Sequence, residues 1–86
     1  MRIEFIAQAG VKIHTAHGSI LCDPWFNPAY YAGWFPYPRN DGLDHAALGA
    51  TDYLYISHLH RDHFDPEWLA RWCDKEATVI LPAYPL

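Results

Sequence analysis

Tyr53-Leu54-Tyr55-Ile56-Ser57-His58-Leu59-His60-Arg61-Asp62-His63-Phe64-Asp65-Pro66-Glu67 is the stretch that decides how this chain folds. Its first four residues form a continuous apolar run, the pattern of a β-strand covered on both faces. Asp65-Pro66-Glu67 supplies an N-cap residue, a proline at the first helical position and an early acid, which together start a helix. Leu69, Trp72 and Cys73, with Trp68, give that helix an apolar side at spacings of three and four. Thr78-Val79-Ile80-Leu81 is a second strand of the buried type, ended by Pro82. Strand, helix and strand in this order predict a parallel, right-handed crossover.

Between strand and helix lie four metal-capable side chains, His58, His60, Asp62 and His63, within six residues. Residues two apart do not share a face on a helix, whereas in an extended segment they do, so His58 and His60 converge only if the segment is extended. Asp62 and His63 then fall in the turn before the helix. The C-terminal end of a strand is also where open α/β sheets place their ligands. Imidazoles with one carboxylate suit Zn²⁺, with Fe²⁺ and Mn²⁺ as alternatives because ligand type selects only loosely. Ser57, Arg61 and Asp65 read more plainly, as a polar loop residue, a solvent-facing charge and the helix cap.

Upstream, Ile3 and Phe5 alternate with Arg2 and Glu4, and Val11 and Ile13 with Lys12 and His14, a period of two. With turn residues at Gly10 and His17-Gly18, and a third run at Ser19-Ile20-Leu21-Cys22, this predicts three antiparallel strands between Arg2 and Asp23. Pro24 to Gly42 holds Trp25, Phe26, Tyr30, Tyr31, Trp34, Phe35 and Tyr37, interrupted by four prolines that exclude a long regular element. Such a loop is a candidate binding surface, although a thin core would absorb most of these rings. Leu43 to Leu48 reads as a short helix stopped by Gly49.

At 86 residues the chain is one small domain or a piece of a larger one. Its hydrophobic share of 51% against 19% charged residues excludes a disordered tail or a coiled coil. Six Lys and Arg against ten Asp and Glu disfavour nucleic-acid binding. Protonating all six histidines would reverse the sign of the net charge of −4. Cys22 and Cys73 belong to no Cys-x-x-Cys pair and read as buried, reduced thiols. No signal peptide or membrane span is legible, so the expected location is cytoplasmic.

His58-x-His60-x-Asp62-His63 after an apolar strand resembles the metal-binding signature of the metallo-β-lactamase fold, and Asp23-Pro24-Trp25 before an aromatic loop is similar to the same superfamily. The likeness is to the branch that contains L-ascorbate-6-phosphate lactonase-like enzymes, N-acylphosphatidylethanolamine-type phospholipases and the hydrolase-like domain of CMP-N-acetylneuraminate hydroxylases. It implies an α/β fold, the N-terminal part of an αββα sandwich, with residues 1–86 a partial domain lacking its C-terminal half. It also implies a metal-dependent hydrolase acting on an ester, lactone or phosphodiester of a small-molecule substrate. His58 and His60 would bind one Zn²⁺, Asp62 and His63 a second, and Asp62 would orient the attacking hydroxide. Asp23 would either hold a ligand histidine or cap the turn into Pro24. No histidine follows His63, so the later ligands of that family are not in this chain.

Two alternatives stand beside this expectation. One is an iron-dependent oxidoreductase related to the CMP-N-acetylneuraminate hydroxylases, which pair such a domain with a Rieske module; no Cys-x-His pattern occurs in this chain. The other is a non-catalytic binding module using the aromatic loop, with self-association through exposed sheet edges.

Overall fold

The period-two alternation of the first 22 residues folds into three antiparallel strands, β1 (Arg2–Ala7), β2 (Gly10–Thr15) and β3 (Gly18–Cys22). The computed structural model describes residues 1–27, 40, 42–60 and 63–82. Next come helix α1 (His45–Gly49), strand β4 (Tyr53–Tyr55), helix α2 (Pro66–Trp72) and strand β5 (Thr78–Ile80). The strands lie in one sheet in the order β1-β2-β3-β4-β5, with β3·β4 and β4·β5 parallel. The fold is thus a small mixed α/β domain dominated by a five-stranded sheet. The expected first part of an αββα sandwich is corrected: among the described residues there is one sheet with two short helices, and no second sheet.

Both helices begin where side-chain chemistry dictates. Asp44 caps α1 by accepting the N–H of Ala47 at 3.1 Å, which moves the start two residues past the expected Leu43. Asp65 caps α2 by accepting the N–H of Trp68 at 3.2 Å, with Pro66 in the first turn as expected. Each helix also ends on a lysine. Lys12 Nζ donates to the carbonyls of Ala47, Leu48 and Ala50 at 2.8, 3.1 and 3.1 Å. Lys75 Nζ donates to those of Leu69, Ala70 and Cys73. A cation there satisfies carbonyls that have no partner within the helix and offsets the negative end of its dipole. Lys12 is only 2% exposed, and burial lowers its pKa.

Strand register sorts the sheet into two unlike faces. One carries Glu4 and Lys12 opposite each other, then Leu21, Leu54 and Val79 along the same row. Over it the helices close a core of Ile6, Leu21, Leu48, Leu54, Ile56, Trp68 and Cys73. The helices approach so closely that a methyl group on Gly49 would lie 1.9 Å from the Trp72 carbonyl oxygen, so only glycine fits there. The opposite face begins with the row Ile3, Ile13, Ile20, Tyr53 and Thr78. A second row holds Phe5, Val11, Cys22, Tyr55 and Ile80.

The second-half strands therefore differ from expectation. Tyr53 is 44% exposed beside the buried Leu54, and Thr78, Val79 and Ile80 are all exposed, although their apolar runs predict cover on both sides. The helices cover one face only, and β5 is the sheet edge. Most of the aromatic loop, including Tyr30, Tyr31, Trp34, Phe35 and Tyr37, lies outside the described residues. Among the described residues no helix is long and apolar enough to cross a membrane.

Lys12→Met keeps the length and apolar stem of the side chain but strips three carbonyls of their donor. It should lower the unfolding free energy by about 2–3 kcal/mol, read as an earlier midpoint in urea with an unchanged slope. An unchanged midpoint would mean that these contacts contribute nothing.

Candidate functional site

β3 and β4 run parallel, so their C-terminal ends lie side by side, and the chain leaving each meets the other. Asp23 follows β3 with φ of 42°, a left-handed conformation that aspartate tolerates better than most residues. Its N–H donates to the Tyr55 carbonyl at 2.9 Å, extending the β3·β4 pairing by one bond. The turn carries the carboxylate, with Asp23 only 5% exposed, under the first residues beyond β4.

Three donors converge on that carboxylate. The Ser57 N–H reaches Oδ1 at 2.7 Å, and Ser57 Oγ lies 2.6 Å and His63 Nδ1 3.1 Å from Oδ2. An ionised carboxylate only accepts, so the Ser57 hydroxyl and the His63 Nδ1–H both donate to it. The hydroxyl proton is thereby used. Ser57 Oγ, 2.9 Å from His58 Nδ1, must then accept, which places a proton on His58 Nδ1 as well. Both rings are so fixed as the tautomer whose lone pair is on Nε2, the form that ligates metals when the other nitrogen is hydrogen-bonded.

The rings of His58 and His63 have centroids 4.1 Å apart, and those of His58 and His60 4.8 Å apart, nearly perpendicular. The extended segment after β4 thus brings His58 and His60 together, and backbone bonds from the N–H groups of His63 and Phe64 to the His60 carbonyl return the chain so that His63 joins them. Asp62, the fourth expected ligand and the expected catalytic acid, lies outside the described residues. Among the described residues no three His, Cys, Asp or Glu side chains are grouped as a metal would require.

A second buried carboxylate braces the site. Asp65, 4% exposed, caps α2 and also accepts the N–H groups of Phe26 and Asn27 at 2.9 and 2.8 Å and the Asn27 side-chain amide at 3.0 Å. It thereby ties the segment after Asp23 to the helix after His63. Phe26 stacks on Trp68 at 4.5 Å, and Trp68 Nε1 donates to His45 Nδ1 at 2.7 Å. Sequence reading found the cap but neither Ser57 as a hub nor Asp65 as a tie, because their partners are more than 30 residues away. His45 serves the aromatic packing, and His14 pairs with Glu4 at 2.6 Å, a bond that holds the Glu4 carboxyl below its usual pKa.

The two thiols lie on different faces of the sheet. Cys73 belongs to the core beneath the helices, whereas Cys22 follows Leu21 and so points to the opposite face of the sheet. Burial raises the pKa of both, which disfavours the thiolate that metals bind.

No family model matches the chain, and no solved structure matches it. A protein of Mycolicibacterium smegmatis named as a Rieske 2Fe-2S iron-sulfur protein is 58% identical over 86 residues, all of this chain and 17% of that relative. One of the same name from Mycobacterium tuberculosis is 57% identical over the same span. The cytidine monophosphate-N-acetylneuraminic acid hydroxylase of Asterias rubens is 35% identical over 68 residues, 76% of this chain and 10% of the relative. The chain spans about a sixth of the length of the first two. These relatives correct the resemblance read from the sequence. They carry iron–sulfur and hydroxylase names, so the metallo-β-lactamase assignment, the hydrolase activity and the Zn²⁺ pair expected above are set aside.

The iron–sulfur name can be tested on this chain's own donors. A Rieske cluster takes two thiolates and two imidazoles. Cys22 and Cys73 lie on opposite sides of one sheet, so they cannot share a cluster, and the residues described here do not fit it.

The hydrogen-bond chain predicts a spectroscopic signature. In long-range proton–nitrogen NMR spectra, His58 and His63 should both show the Nδ1-protonated tautomer. Asp23→Asn should release His63 from that form and lower stability by about 2 kcal/mol, as expected for a buried charged acceptor. Nε2-protonated rings in the unmodified chain would contradict the assignment.

Proposed function

We propose that this chain is one part of an iron-dependent oxidoreductase acting on a small molecule in the cytoplasm. In this reading His58, His60, Asp62 and His63 are the side chains with which the chain holds iron. The observation that carries it is the tautomer lock. Asp23 and Ser57 occupy the Nδ1 atoms of His58 and His63 together, which is what ligand imidazoles require and a solvated histidine loop does not. The kinship with iron–sulfur proteins and a hydroxylase supports iron as the metal.

Imidazoles with a carboxylate suit non-haem iron, a metal that would supply oxygen activation when bound. The chain's own residues do the rest. His58 and His60 project from the extended segment, and His63 closes the group from the turn before α2. Asp23 holds His63 in orientation through a buried charged hydrogen bond and keeps the Ser57 hydroxyl turned from His58, whose Nδ1 bonds the Ser57 oxygen. Asp65 keeps the segment bearing Phe26 and Asn27 pinned beside the group. The cluster named in the relatives belongs, in this reading, to the part of them that this chain does not span.

Anaerobic titration with Fe²⁺ tests the assignment. The chain should retain iron on desalting, and His58→Ala with His60→Ala should abolish retention. Asp23→Asn should weaken it about 10–100-fold. Cys22→Ser with Cys73→Ser should leave iron content unchanged, with no acid-labile sulfide in any sample. Equal retention by the double-histidine variant would remove these residues from the role.

A further inference from the structure

We infer that the face of the sheet turned away from the helices is an internal surface, covered by an apolar layer from the rest of a longer polypeptide that carries this segment. The reading is independent of the iron assignment, and either can fail without the other.

The two cross-strand rows on that face are made of core residue types. Nine of their ten positions are aliphatic, aromatic or cysteine, and Thr78 at the edge is the exception. Ile3 stands 58% exposed, Phe5 55%, Tyr53 44% and Ile80 40%. No charged side chain interrupts either row, while the helix-covered face carries Glu4, Lys12 and His14 within its first two strands. A solvated sheet face shows the reverse distribution, alternating polar residues outward. Parallel strands in particular are normally covered on both sides, and β3, β4 and β5 pair in parallel.

The occupant is argued from length. The mycobacterial relatives match all 86 residues, yet these make up 17% of each relative, so about five-sixths of such a polypeptide lies beyond the segment. A layer joined covalently to the sheet meets it at an effective concentration of the order of millimolar. A second copy at ordinary cellular concentration competes poorly with that. The face makes little polar demand away from its edges, since the backbone groups of β2, β3 and β4 pair on both sides, so a largely apolar layer suffices.

Two measurements test the inference. The 86-residue chain alone should be monomeric by light scattering and should bind a hydrophobic dye, and Ile3→Lys with Tyr53→Lys should remove at least half of that signal. In a chimera, this chain replaces the matching 86 residues of the Mycolicibacterium smegmatis relative. There the dye signal should vanish, and thiol labelling of Cys22 should slow at least tenfold relative to the chain alone. The same two lysines should lower the chimera's melting temperature by more than about 5 °C, with Ala70→Lys, at an exposed position of α2, as the neutral control. Undiminished Cys22 labelling together with tolerated lysines in the chimera would overturn the inference. So would a chain that binds no dye, or a stable dimer of the chain that the lysines dissociate, which would assign the face to a second copy. If the chimera does not fold, the first measurement on the chain alone still decides whether the face is open and apolar.

Discussion

The Asp23 carboxylate is the interaction on which the rest of this site depends. It comes from the first half of the chain and, among the described residues, accepts three hydrogen bonds from the second, through Ser57 and His63. An isolated ion buried to this depth would be costly, and three donors, one of them a backbone N–H, make it tolerable. The bond network also does more than hold two strands together. A serine has one hydroxyl proton, and its commitment to Asp23 determines which nitrogen of His58 is protonated. One buried charge thus sets the state of two imidazoles.

How much of this was legible in the sequence follows the range of each interaction. The three antiparallel strands were readable because alternation is local, and α2 because Asp65-Pro66-Glu67 announces it. The approach of His58 to His60 was readable from their spacing in an extended segment, while Asp62 lies outside the described residues. Lys12 was not: it sits at an alternating polar position that looks solvent-facing, and only α1, more than 30 residues later, turns it into a buried cap. Asp23 had two equal local readings, holding a histidine or capping the turn into Pro24, and the contact that favours the first is with His63, far along the chain. The apolar runs of β4 and β5 were legible as strands but not in their cover. The reaction was the least legible: a ligand spacing encodes a donor set, and donor sets are shared between hydrolytic and redox metals. The names of the relatives, not the motif, set the hydrolytic reading aside.

The two faces of the sheet divide the chemistry of the chain. On the helix side, Lys12 reaches α1, and Leu21 and Leu54 belong to the core beneath the two helices. On the other side the two central rows are apolar but for Thr78, with Cys22 in the second. This division places the two thiols on opposite sides of the sheet, with Cys22 one residue before Asp23 at the end where the imidazoles gather.

The connection order has a kinetic consequence. Strands β1 to β3 pair with their immediate neighbours through short turns, so their contacts are inexpensive in loop entropy. The β3·β4 seam instead closes a loop whose ends, Asp23 and Ser57, are 34 positions apart. Contacts of that separation form late in small domains. The imidazole group would therefore be assembled in the same step that joins the halves, leaving a nascent chain with a formed meander and no organised histidine cluster until the seam shuts.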